Sequence, residues 1–267
     1  MNLGPPSRAQ PRSAGGNALS LLRSLFLFVP LLLLATILCG AVSLTLSIVD
    51  AQGRRQHRVA RFWAWLLLQM FAIRVRVAGD ENLPRGRPCI LVCNHLSYMD
   101  IPVLFAGLPL QFRIFARKGL FSIPFLGWHL KRSRHLPVDD GAKASLRSLL
   151  RAVDTVRQGM TVFVFPEGGR SMDGRMQRFI PGAFLLAVRA QVPVVPLVLV
   201  GTRDVLPPDS VHLHPYGVTL TILPPVSTEG LTPRDAEALA TRVRDQIRAV
   251  YETARPELTA DTMAPVP

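Results

Sequence analysis

Residues 24–49 form an unbroken run of 26 uncharged positions, most of them Leu, Phe, Val, Ile or Ala. As a helix rising about 1.5 Å per residue, the run is roughly 39 Å long, against a bilayer hydrocarbon core of about 30 Å. It therefore predicts a tilted membrane-spanning helix with Pro30 as a point of kinking. A cleaved signal would have an apolar region of only about 7–15 residues and a small-x-small cleavage site, and no convincing site of that kind follows. Nor does Cys39 read as a lipid-attachment site, because Leu38 before it is bulky where a small residue belongs. Arginines flank both ends: Arg8, Arg12 and Arg23 before the run, Arg54, Arg55, Arg58 and Arg61 after it. Their excess on the far side predicts an inner-membrane protein whose remaining chain lies on the cytoplasmic side. A second apolar segment, 62–73, is too short to cross. With Trp63 and Trp65 near one end and Arg74 and Arg76 beyond the other, it reads as an interfacial or re-entrant helix.

The composition agrees with a chain held at a membrane. Of 267 residues 49% are apolar and only 18% charged, with a mean hydropathy of +0.27, where soluble domains carry about 25% charge. A disordered chain is excluded by the same figures. The net charge is +13, and 28 of the 31 basic residues are arginines, Lys118, Lys131 and Lys143 being the lysines. Such an excess suits phosphate groups, although a GC-rich genome yields exposed arginines too. Cys39, Cys89 and Cys93 cannot close a disulfide framework, and without a C-x-x-C neither a zinc ribbon nor a dithiol site is indicated. Cys89 and Cys93 read as buried core thiols in a reducing compartment.

Beyond the apolar segments the pattern alternates strand and helix, with strands predicted at 89–93, 112–116, 135–138, 161–165, 194–200 and 218–223. Leu146, Leu149, Leu150, Val153 and Val156 make one helical stripe, closed by Gly159. A second, of Leu239, Val243, Ile247 and Val250, follows Thr232 as N-cap, Pro233 at the first helical position and Asp235 three residues after the cap. Both stripes read as core. The expected organisation is a disordered N-terminus (1–17), membrane-anchoring helices (18–76), one folded domain (77–256) and a flexible tail (257–267). The fold class is α/β, a mixed sheet flanked by helices, with an N-terminal transmembrane helix and the second interfacial or re-entrant helix.

Nucleotide-binding glycine loops, H-E-x-x-H and the G-x-S-x-G elbow are all missing. What remains is Asn94-His95-Leu-Ser97-Tyr-Met-Asp100, directly after an apolar strand. A histidine at a strand-to-helix turn suits general-base work, and a carboxylate on its other nitrogen fixes the tautomer and stabilises the imidazolium. The spacing alone is weak, since His135 and Asp140 share it. Strand alternation would point those two to opposite faces, so His135 reads as structural. The second cluster, Phe165-Pro-Glu167-Gly168-Gly169-Arg170-Ser171, also follows an apolar strand. Its glycines permit close approach to an anion and Arg170 offers a planar fork for phosphate. Alone, it has a second, less favoured reading as a glycine turn with a surface ion pair of Glu167 and Arg170.

In this order and at this separation, the two clusters resemble the glycerolipid acyltransferases, most of all the branch that acylates lysophosphatidic acid. The family's N-H-x-S-x-x-D block matches Asn94, His95, Ser97 and Asp100, and its F-P-E-G-[TS]-R-S block matches 165–171 except at Gly169. A basic block ending I-P-x-x-G corresponds to Lys118, Ile123, Pro124 and Gly127, and a V-P-x-x-P run to Val192, Pro193 and Pro196. The sequence departs at Gly119, Asp140 and Ile180, where the family often has Glu, Arg and Lys, leaving Arg178 and Lys118 as nearby basic groups. The resemblance implies an H-x4-D acyltransferase of phospholipid biosynthesis. In it His95, oriented by Asp100, takes the proton from the acceptor's hydroxyl during direct attack on an acyl thioester. Glu167, Gly168, Arg170, Lys118, Asn94 and Ser97 would bind substrate, and Phe121, Ile123 and Phe125 read equally as the lining of an acyl channel and as ordinary core. No metal and no cofactor is implied beyond acyl-CoA or acyl carrier protein thioester as co-substrate. The partners would be the lysophospholipid, that donor and the lipid membrane, and not nucleic acid. Another lyso-lipid acceptor such as a lyso-ornithine lipid, a non-catalytic membrane-tethered binding protein, and a hydrolase using the same His–Asp pair are the alternatives.

Overall fold

The N-terminal apolar run is helical from a π-helical turn, Ser24–Phe28, into α1, Val29–Leu46. The computed structural model describes residues 22–50, 52–138, 142–210 and 212–257. The expected disorder of 1–17 and most of the expected tail fall outside them, as do Asp139 and Asp140. Pro30 lies in the first turn of α1, where a missing N–H costs least, immediately after the wider turn. Ser24–Leu46 is long and apolar enough to cross a membrane. Many of its large side chains, Phe26, Leu33 and Leu38 among them, point outward, while Phe28, stacked edge-on against Phe71, and small and polar residues face the protein. The Ser43 Oγ is 2.6 Å from the His129 ring, the Trp63 indole N–H donates to Thr36 Oγ1 (3.1 Å), and a Cβ on Gly40 would lie 3.2 Å from that of Phe125.

The second segment forms α2, Arg54–Met70, a longer helix than the apolar stretch suggested. Its start is set by Asp50, whose carboxylate accepts the N–H groups of Arg54, Arg55 and Gln56 at 3.1, 2.6 and 3.1 Å. The arginines that looked like flanks therefore belong to the helix. One face, Ala64, Leu67 and Leu68, enters the domain core, while Phe62 and Trp65 stay exposed. So α2 is amphipathic between core and surroundings, which the interfacial reading had only half anticipated.

The α/β part runs β1 (Arg74–Ala78), β2 (Ile90–Cys93), α3 (Asp100–Gly107), β3 (Phe112–Arg117), α4 (Leu126–Arg132), β4 (Leu136–Val138), α5 (Ala142–Arg157), β5 (Thr161–Val164), α6 (Gly182–Ala190), β6 (Val194–Val200), α7 (Thr202–Val205), β7 (Gly217–Ile222) and α8 (Ala236–Ala254). Its sheet has the order β1-β7-β6-β2-β5-β3-β4, with β6 and β7 antiparallel and every other neighbouring pair parallel. The predicted strands match six of these within a residue. The missed one, β1, is a short edge strand whose alternating arginines read as flank rather than sheet. Every residue of β2 and β6 is buried, the signature of central strands covered on both faces. Leu91 and Cys93 pack with α2 and α3 on one face, Ile90 and Val92 with α5, α6 and α8 on the other. Burial pushes the Cys89 thiol up to about 11 and the Cys93 thiol well above its usual range, so both are unreactive.

The helix stripes are largely as read. Asp235 and Thr232 form a reciprocal capping box, and Leu239, Val243 and Ile247 are buried with Tyr251. In α5, Val153 and Val156 are buried, but Leu150 turns outward and Ala152 takes the inner position. Leu146 lies outside the residues whose side chains are described.

Beneath the α1–α2 pair sits a basic cluster of buried His57, His135 and Arg113 with half-buried His129. The His135 ring accepts the Ile114 N–H at 3.0 Å and faces His129 at 5.9 Å between ring centroids, a structural role as expected. Desolvation, reinforced by the Arg113 charge, lowers His57 and His129 from 6.5 to about 4 and His135 well below its usual value. Because the folded values are depressed, the unfolded chain binds these protons first. Stability is full above pH 6.5 and should fall as pH drops toward about 4, by roughly 1.4 kcal/mol per pH unit for each ring. Denaturant titrations in detergent at pH 7.5, 6 and 5 should show that decline; a flat profile would mean the rings take up protons while folded.

Candidate active site

Strands β2 and β5 are parallel neighbours, so both end at the same sheet edge and bring the two sequence clusters together across 72 residues. One residue past β2, Asn94 imitates a further strand pair: its Nδ2–H donates to the Leu199 carbonyl (2.9 Å) and its Oδ1 accepts the Leu199 N–H (2.8 Å). The chain then turns, and His95 emerges with its side chain 17% exposed. Its Nδ1 is 2.7 Å from Asp100 Oδ2, at the first position of α3. The same oxygen accepts the N–H groups of Leu96 (2.7 Å) and Ser97 (3.0 Å). With Nδ1–H committed to Asp100, the imidazole lone pair is on Nε2.

Asp100 is fully buried, and its Oδ1 has no partner among the described residues. A carboxylate concentrated on one oxygen against Nδ1, at a helix N-terminus, is poised to stabilise a positive imidazole. The ring is held from its flat side by Phe165, stacked at 3.8 Å between centroids and 11° between planes. Phe165 is in turn braced edge-on by Phe163. In the sequence Phe165 is the last residue of the predicted strand and the first letter of the motif; the structure puts it one residue past β5, beside the strand that delivers His95.

Glu167 joins the loops. Its Oε1 accepts the His95 N–H at 2.9 Å and its Oε2 the Gln177 N–H at 3.0 Å, while the Ser171 N–H donates to the His95 carbonyl at 2.8 Å. Burial pushes the Glu167 carboxyl up, and the two N–H bonds oppose that shift. Several expected substrate contacts are thereby reassigned. Glu167 is buried as a strut between loops. Asn94 is spent on β6, and Ser97 donates to the Leu206 carbonyl (2.7 Å) while accepting the Met99 N–H (3.1 Å). Both are buried, so they position the turn rather than meet substrate. Gly168 has φ +75°, its N–H is bonded to the Phe165 carbonyl, and a Cβ there would press to 2.8 Å on Ile180. It makes the turn, and its amide is not presented to an anion.

Arg170 follows Glu167 in the loop after β5 and is mostly buried, its side chain 18% exposed. Its guanidinium lies 3.8 Å over the ring of Tyr98, a residue inside the His–Asp interval that the sequence reading passed over. It also approaches Asp209 at 3.7 Å, and its Nη1 is buried with no partner among the described residues. Lys118 begins the turn after β3, at the same sheet edge one strand beyond β5. Arg178, a candidate for compensating charge, instead pairs with Glu237 of α8. A Cβ at Gly169 would meet nothing within 4 Å, so the hydroxyl residue usual there is missing without being sterically excluded. Of the expected channel residues, Phe121 is core, Ile123 is exposed and Phe125 packs on Gly40 of α1.

A histidine oriented by a buried carboxylate, its Nε2 without a hydrogen bond among the described residues, and flanked by a stacked arginine, is the equipment of an enzyme that deprotonates a hydroxyl close to an anionic group. Residues 74–200 match the family model described as Acyltransferase. A 1-acyl-sn-glycerol-3-phosphate acyltransferase of Chlamydomonas reinhardtii is 34% identical over 256 residues, 93% of this chain and 71% of that protein. A chloroplastic one of Brassica napus is 35% identical over 62% of this chain and 48% of its own length. The chain thus spans about half the length of the first curated relatives it matches. The crystal structure of the 1-acyl-sn-glycerophosphate (LPA) acyltransferase of Thermotoga maritima superimposes with a TM-score of 0.77 at 26% identity, over 90% of this chain and 97% of that one. The chain belongs to the acyltransferase family of which these 1-acyl-sn-glycerol-3-phosphate acyltransferases are members.

Proposed function

We propose that this protein transfers a fatty acyl group from an acyl thioester to the free hydroxyl of lysophosphatidic acid, giving phosphatidic acid. The observation that carries the reading is the His95–Asp100 pair, a partly exposed ring whose Nε2 has no hydrogen bond among the described residues, at the sheet edge that also carries Arg170. His95 Nε2 takes the hydroxyl proton as the acceptor oxygen attacks the thioester carbonyl. The new C–O bond forms, the C–S bond breaks, and the departing thiolate takes the proton from the imidazolium. Arg170, planar and stacked on Tyr98, grips the acceptor's phosphate, with Lys118 adding charge at the same edge. Residues 18–76 anchor the enzyme in the inner membrane, and residues 77–256 form the catalytic domain on its cytoplasmic side. Phosphate and acyl chain are then presented where such a lipid resides. Acyl-CoA and acyl carrier protein thioester both fit this chemistry.

The test is thiol release by the detergent-purified protein from each donor, with and without lysophosphatidic acid. Acceptor-dependent release is expected; release without acceptor would point to a thioesterase. Arg170→Ala should raise the acceptor KM about tenfold to hundredfold, the worth of a charge-assisted contact to phosphate, and leave the donor KM alone. Unchanged acceptor kinetics would remove Arg170 from the site.

A further inference from the structure

The loop between α7 and β7 places a carboxylate beside the arginine to which the proposed function gives the acceptor's phosphate. Pro207-Pro208-Asp209-Ser210 is a turn closed by the Ser210 N–H on the Pro207 carbonyl at 3.2 Å. Pro208 supplies its second position, and Asp209 stands at the third with φ +59°. That position needs the left-handed region, where glycine or asparagine is the cheap choice and aspartate a tolerated one. The turn is fixed from both sides. Leu206 accepts the Ser97 hydroxyl of the histidine turn, the His214 N–H donates to Val205, and the Leu213 carbonyl accepts Arg23 at the start of the apolar helix. The turn therefore sets Asp209 beside the guanidinium, its Oδ1 3.7 Å from Arg170 Nη2 and its side chain 69% exposed.

We infer that Asp209 is a charge-selecting residue, which competes with the phosphate of the acceptor for Arg170 and so weakens the binding of doubly charged phosphomonoesters. The inference rests on the reading of Arg170 as the acceptor-phosphate site. Tyr98 fixes the plane of the guanidinium, so a phosphate on its fork must displace or lie beside the carboxylate. The repulsion costs affinity in the ground state and is absent for the uncharged asparagine. Since phosphate carries its second charge only above its second pKa, about 6, the competition is strongest above that pH, and salt screens it because the pair is exposed.

Asp209→Asn keeps the shape and prefers the same backbone region, so it isolates charge; Asp209→Gly keeps the backbone region without the side chain. Both are expected to lower the KM for lysophosphatidic acid roughly twofold to fivefold at low salt and pH 8, with kcat unchanged. The gain should shrink at 0.5 M salt and at pH 5.5. A KM that stays the same or rises in Asp209→Asn overturns the inference, as does an effect in Asp209→Gly of opposite sign. Measured beside Arg170→Ala, the outcomes separate: a raised KM in Arg170→Ala with no change in Asp209→Asn defeats only the role of Asp209. No change in Arg170→Ala defeats the phosphate site itself.

Discussion

His95→Ala is expected to reduce kcat by about 10²–10⁴-fold, the range that a positioned general base supplies, while the protein keeps its fold. The ring is partly exposed, and among the described residues its side-chain hydrogen bond is to Asp100 alone. The turn around it is held by main-chain groups: the His95 N–H to Glu167, the Ser171 N–H to the His95 carbonyl, and Leu96 and Ser97 to Asp100. All of these survive removal of the imidazole. His135→Ala is the control with the opposite signature. That ring is buried and accepts the Ile114 N–H, so its loss leaves a cavity and an unpaired donor in the core. Unfolding midpoints should therefore drop for His135→Ala and hold for His95→Ala, whereas turnover per folded molecule should do the reverse. A His95→Ala enzyme within threefold of wild type would take the base away from His95.

The contrast between these two histidines also marks how far the sequence alone could reach. Both sit five residues before an aspartate, and only the local element separates them: a turn after β2 for one, the entry to β4 for the other. That distinction was legible because strand periodicity is a short-range property of the chain. Pairing of β2 with β5, which makes one site of two motifs, is a long-range property and was accessible only through the resemblance. The polar residues inside the motifs show the limit. Asn94, Ser97 and Glu167 look like ligands in a string of letters, but their oxygens and nitrogens are consumed by Leu199, Leu206, Gln177 and the His95 N–H. Buried polar groups must find partners somewhere, and a sequence does not say whether those partners are protein or substrate. Asp209 lies at the other extreme. It reaches Arg170 from a loop 39 positions away, with no signal except two prolines before it.

Asp100→Asn should be as damaging to kcat as loss of the base, up to about 10⁴-fold, for a reason that differs from loss of charge alone. Asp100 Oδ2 accepts three N–H groups, from His95, Leu96 and Ser97, and Oδ1 accepts none among the described residues. An asparagine has one oxygen to offer. With that oxygen at the Oδ2 position all three bonds can persist, but the NH₂ then fills a buried site without an acceptor, and the imidazolium formed during transfer faces a neutral partner. With the amide flipped, its NH₂ confronts the N–H groups of Leu96 and Ser97, and His95 must carry its proton on Nε2. In that tautomer it cannot accept the acceptor's proton at all. Folding should suffer less, by about 1–3 kcal/mol, because the unpaired NH₂ is partly offset by no longer burying a charge. Saturating-substrate kinetics read the first effect and denaturant unfolding the second. A variant that loses stability to this extent yet keeps kcat would show that the carboxylate serves the turn and leaves His95 to work unaided. Loss of kcat with near-normal stability would instead assign Asp100 to the proton transfer itself.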